Sequence, residues 1–248
     1  MELLKLGTYI QVNQQSLIDG VGTAINKLGH KFELDMRSRV RSHTKAGSQF
    51  EQRVQLIDAN ALAAKCNWFK FKVDVPVVVG RDNLYPLVVV RDSTFPGQSF
   101  LANIGIYRAI CSNGLMSPIV QLPELRIRHT ANNIDMFGQF EVWLGQALEI
   151  FLSKLDESVS KLTSTRVEAP QTTLHLVAAE AGLGKYVVKQ LEHRINYPAY
   201  NRPEDNINTA WGLYNVINEV DRHSARTGSN AYMQRDIKLL ESVLKYAA

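Results

Sequence analysis

Near Asn132 the spacing of apolar residues changes from two to three or four. A period of two puts alternate side chains on one face of a strand, whereas a period near 3.6 builds a stripe along a helix. Upstream, Phe32, Leu34, Met36 and Val40 follow the shorter period, as do Phe69, Phe71, Val73 and Val75. Downstream, Phe137, Phe140, Leu144, Leu148, Phe151, Leu155, Val159 and Leu162 form a stripe that predicts one long helix ending near Thr163. Strands grouped before helices, rather than alternating with them, argue for an α+β fold with an antiparallel β-rich body. One helix precedes that body. Leu17, Val21, Ile25 and Leu28 sit at helical spacing over residues 14–28, and Gly29 ends the pattern.

Residues 31–45 predict a half-buried strand and "KAGSQ" a turn. Residues 50–57 read as a returning strand, or else as a helix opened by Ser48 and Glu51. Asp58 is placed to cap a short helix over "ANALAAKC". "NWFKFKVDVPVVVG" reads as a strand, "GRDN" as a hairpin turn into "LYPLVVVRD", and "FLANIGIYRAICSNGL" as a further strand that turns at "NG". Pro76 and Pro86 each remove a ladder donor, so an edge or bulge is expected at both. "PELRIRHT" is another strand, with Leu125 and Ile127 on one face. Beyond "STRVEAPQ", the expected linker, helical segments fall at about 172–195, 209–223 and 231–246. The expected organisation is a core domain over 1–165 and a helical region over 166–248, packed on it or appended to it.

Composition narrows the classes of function. Of 248 residues 45% are apolar, enough for a sizeable core. Runs such as Leu87–Val90 are strand-sized and too short to cross a membrane, so no membrane association is expected. "MELLKLGTYIQVNQ" has neither a basic leader nor a sustained apolar core, and no signal peptide is read there. Two cysteines, Cys66 and Cys111, make neither a disulfide framework nor a zinc site; a cytoplasmic setting is expected.

Motifs for catalysis are weak. "AEAGLGK" departs from a phosphate-binding loop, because Ala179 stands where that pattern needs glycine and Tyr186 where it needs Ser or Thr. It reads as a helix–Gly–helix break, and no cofactor is expected. The six histidines form no metal-binding pair at helical spacing. Asp74, Asp82 and Asp92 suit a magnesium ion only if the fold gathers them. Cys111 and His129 make a nucleophile and base only if they meet.

The positive signal is charge. Residues 1–130 carry 16 basic and 10 acidic side chains, and residues 131–248 carry 12 and 14. In "RSRVRSHTK", Arg37, Arg39, Arg41, His43 and Lys45 occupy alternate positions. Lys70 and Lys72 alternate in the next stripe with Trp68 beside them, and Arg126 and Arg128 in a third. Arg53 adds to the local excess. Cations on one sheet face neutralise phosphates whatever the base sequence, and an exposed aromatic stacks on an unpaired base. The alternative reading is an ordinary solvated strand face.

"IGIYRAICSNGLMSPIVQLPELRIRHT" and "NTAWGLYNVINEVDRHS" together resemble the phage- and plasmid-type proteins grouped as domain of unknown function 932. The matching positions are Arg108, Cys111, Asn113, Gly114, Arg128, His129, Thr130, Trp211, Tyr214 and Asn215, over roughly residues 84–225. The resemblance implies a phage or plasmid context in a bacterial host, among replication, recombination or defence functions; it carries over no catalytic residue. By analogy with phage annealing proteins, the expected function is non-enzymatic: single-strand annealing or recombination mediation without ATP. Single-stranded DNA is the expected partner, bound by a homo-oligomeric ring or filament. The alternatives are a protein–protein module (an anti-defence or assembly factor) and, below it, a metal- or cysteine-dependent hydrolase.

Overall fold

The structure, a computed structural model, describes residues 3–6, 9–12, 14–34, 39–42, 65–80, 82–93, 99–108, 113–115, 124–128, 135–198, 203–224 and 229–247. The readings made for residues 50–57, for Asp58 as a cap and for the Cys111–His129 pair lie outside these residues. The fold is α+β with an antiparallel sheet. Strands β1 (Leu3–Leu6) and β2 (Tyr9–Val12) form a hairpin, and helix α1 (Gln14–Lys27) follows. Then come β3 (Phe32–Leu34), β4 (Arg39–Ser42), β5 (Lys65–Val73), β6 (Val77–Val79), β7 (Asp82–Ser93), β8 (Ser99–Arg108), β9 (Asn113–Leu115) and β10 (Leu125–Arg128). The helices α2 (Met136–Ser164), α3 (Pro170–Ala181), α4 (Lys185–Asn196), α5 (Ala210–Ser224) and α6 (Ser229–Tyr246) complete the chain, with a 3-10 turn at Pro203–Asp205.

Residues cluster into two compact units. The first comprises Met1–Val75, Leu87–Ile104 and Leu122–Glu149, and the second Pro76–Pro86, Gly105–Gln121 and Ile150–Ala248. Strands β7 and β8 and helix α2 contribute residues to both. In the first unit the sheet order is β10-β8-β7-β5-β3, with β4 also paired to β5. Phe69, Phe71 and Val73 are buried, and Phe71 meets Phe32 edge-on at 5.5 Å. Phe100 meets Phe140 of α2 at 5.7 Å and 87°, a T-shaped contact that suits ring quadrupoles. Asp135 caps α2, its Oδ1 accepting from the Gly138 amide at 3.1 Å.

In the second unit β6 and the start of β7 form the expected hairpin, with Val79 opposite Asp82. The ladder along β7 passes from Leu84, paired to Val77, to Leu87, paired to Lys72. Pro76 and Pro86 lie in that gap, where neither is asked for a donor between β7 and the β5–β6 side. The α2 stripe continues through Phe151, Leu155, Val159 and Leu162, all buried. Helices α3 and α4 meet at a break, as "AEAGLGK" implies: Gly182 caps α3 in the left-handed region at φ 68°.

Two sequence expectations need correction. Lys65 and Cys66, placed in a short helix by "ANALAAKC", belong to β5, where sheet pairing overrides the local alanine-rich preference. Asn113 and Gly114, read as a turn, pair in the ladder opposite Arg108 and Tyr107. The segment read as a linker lies between α2 and α3, where Arg166 bridges Thr209 and the Val167 amide donates to the Asn208 carbonyl at 2.8 Å.

Candidate functional site

The basic stripes can be placed by strand register. Directly opposed residues on antiparallel strands share a face. Arg39 lies opposite Trp68, and Trp68 opposite Arg91, so the three form one row across β4, β5 and β7. Arg41 lies opposite Cys66 on the same face, and Lys70 and Lys72 follow along β5. On β10, Arg126 opposes Leu101 and Arg128 opposes Ser99. Two contacts fix how β7 and β8 match: Tyr85 meets Tyr107 at 6.4 Å, and Asp82 pairs with Arg108. Odd-numbered residues of both strands therefore share a face. The register puts Arg39, Arg41, Trp68, Lys70, Lys72, Arg91, Arg126 and Arg128 on that face, opposite the one carrying Phe71 and Phe100.

The face is not uniformly charged or open. Leu87, Val89 and Leu101 lie on it and are buried, which leaves the cations on either side of an apolar middle. Lys72 is paired with Glu33 at 2.8 Å and Arg126 with Glu124 at 3.2 Å. Of the sequence-derived positions, Arg37, Lys45 and Arg53 lie outside the described residues; Arg39, Arg41 and Trp68 are placed by their backbone alone. Arg91 was missed. Its neighbours "VVVRD" carry no alternation, and only the pairing to Trp68 brings it into the row.

The second unit holds two buried polar clusters that charge periodicity gives no sign of. Arg108 is 2% exposed and bridges two carboxylates: Asp82 Oδ2 at 2.6 Å from Nη2 and 2.7 Å from Nε, and Asp205 Oδ1 at 2.8 Å from Nη1. Burial opposes its charge, but the two carboxylates outweigh burial and hold its pKa above the ordinary arginine value. Asp82, considered above as a magnesium ligand, is occupied by this guanidinium. Among the described residues no group of three His, Cys, Asp or Glu side chains gathers to hold a metal ion.

The other cluster lies between α5 and α6. The Tyr214 hydroxyl and the Asn218 amide both donate to Asp236 Oδ1 at 2.6 Å. Asp221, 1% exposed, accepts from Arg235 at 2.8 Å, while its other oxygen has no partner among the described residues. Burial pushes its pKa up against the pull of Arg235. These clusters hold Arg108 and Tyr214 of the resemblance signature; Asn215 and Trp211, also on α5, are 5% and 1% exposed.

A family model described as "Domain of unknown function (DUF932)" matches residues 49–244. The chain belongs to this family. Arg53, Trp68, Lys70, Lys72, Arg126 and Arg128 lie within the DUF932 match, whereas Arg37, Arg39, Arg41 and Lys45 precede it. Both buried clusters lie inside it. No curated protein and no solved structure matches the chain. Among the described residues no helix is long and apolar enough to cross a membrane.

Proposed function

We propose that this DUF932 chain is a non-enzymatic single-stranded DNA-binding protein that anneals strands or mediates recombination without ATP, acting as a homo-oligomer in the cytoplasm of a phage or plasmid host. One observation carries the reading: strand register gathers cations from β4, β5, β7 and β10 on one sheet face. Phosphates spaced along a flexible single strand can meet such cations without base recognition. Bases left facing outward remain free to pair, and Trp68, in the row between Arg39 and Arg91, offers a stacking surface. The buried clusters of the second unit are read as structural, since their charged groups are turned to one another rather than to solvent.

Fluorescence polarisation with a single-stranded oligonucleotide tests this. Replacing Arg37, Arg39 and Arg41 together by alanine is expected to abolish binding at micromolar protein. Binding unchanged in that variant would overturn the site. A second reading, a protein-docking module, draws on the open groove at the start of α2, where Val142 is 65% exposed beside Glu141 and Gln139. An absence of salt-dependent binding in the unaltered protein favours that reading.

A further inference from the structure

We propose that the groove between α4 and the C-terminal part of α5, wholly within the second unit, holds one unpaired nucleotide: a planar heteroaromatic base together with its phosphate. The proposal rests on the reading that the chain binds single strands, and adds to it a separate site for a base in the second unit. The groove encloses about 530 Å³, within the usual range for small-molecule sites. Tyr186, Gln190, His193 and Tyr197 succeed one another at intervals of four, three and four, which puts them on one face of the helix and its C-cap. On an ordinary surface helix that face carries charged side chains. Here Tyr186 is 71% exposed and Tyr197 67%.

The rings are held rather than loose. The Gln190 amide donates to the Tyr186 hydroxyl at 2.9 Å, and the His193 and Tyr197 rings lie 4.9 Å apart with 35° between their planes. A flat ligand can therefore gain stacking area without first ordering these side chains, which is the condition for useful affinity from a few contacts. Lys189 lines the same groove and supplies a cation for the phosphate. Glu219, paired with Arg194 and only 13% exposed, offers a carboxylate at the groove wall that can accept from an exocyclic amino group of a base. Aromatic faces, the Lys189 cation and a carboxylate whose charge Arg194 already balances suit a base together with its phosphate.

The test uses the full chain and a short oligonucleotide bearing 5-iodouracil. Photo-crosslinking followed by peptide mapping is expected to place adducts on the segment from Tyr186 to Tyr197. Tyr186→Ala and His193→Ala are each expected to weaken oligonucleotide binding about tenfold, the scale of one lost stacking contact. Tyr186→Phe keeps the ring and is expected to bind within about twofold of the unaltered protein. Adducts confined to other segments, or alanine variants that bind as the unaltered chain does, overturn the groove assignment and leave the sheet-face reading standing. No oligonucleotide binding by the unaltered chain overturns both.

Discussion

Arg108 keeps its charge with almost no contact with water because Asp82 and Asp205 surround it. The cost of removing it is set less by the lost attraction than by what stays behind, two shielded carboxylates that lose the guanidinium held between them. Arg108→Ala is expected to destabilise the fold by about 3–5 kcal/mol. Urea denaturation checks this, and a midpoint within error of the unaltered protein would show that the cluster is solvated. The same reasoning explains why this arginine could not be assigned from sequence. "IYRAI" shows one cation in an apolar strand, and its partners are 26 residues before it and 97 after. Nothing local marks them as a set.

At the scale of elements, periodicity told most where one face of a segment is buried. Helix α1, helix α2 and the alternation of β5 follow their patterns closely, since burial of Leu17, Phe140 and Phe71 and their neighbours decides both pattern and structure. Pattern failed where pairing or packing overrides local preference, as at Lys65–Cys66 and Asn113–Gly114. Gly212 is a case that only packing reveals. A Cβ there would stand 2.0 Å from the Asn206 carbonyl oxygen and 2.5 Å from its carbon. Asn206 cannot easily yield, because its carbonyl also accepts from the Thr209 hydroxyl at 2.8 Å, and Thr209 Oγ1 accepts from the Gly212 amide at 3.1 Å. Gly212→Ala must push α5 away from this turn. It is expected to cost about 1–3 kcal/mol, the range for overpacking, despite alanine's better helix propensity. A thermal melt that rises instead would show that the turn is free to move.

At the scale of the whole molecule the decisive quantity is where the charge sits. The excess of six positive charges in residues 1–130, against a deficit of two in residues 131–248, lets a chain of modest net charge present one attractive region. The sequence showed the three stripes; that they share a face needed the pairing of Trp68 with Arg39 and Arg91, which no window of adjacent residues contains. The proposed interface then has a measurable size. Each phosphate neutralised on a single strand contributes about −0.7 to the slope of log affinity against log salt. Between five and seven engaged cations predict a slope of about −3.5 to −5, the lower figure allowing for Lys72 and Arg126, whose charges Glu33 and Glu124 already share. Replacing Arg39 and Arg41 by glutamine is expected to make the slope shallower by about 1.4. The same exchange at Lys238 and Lys245 of α6 is expected to leave it unchanged. A slope that responds equally to both pairs would mean that net charge, not the face, attracts the strand.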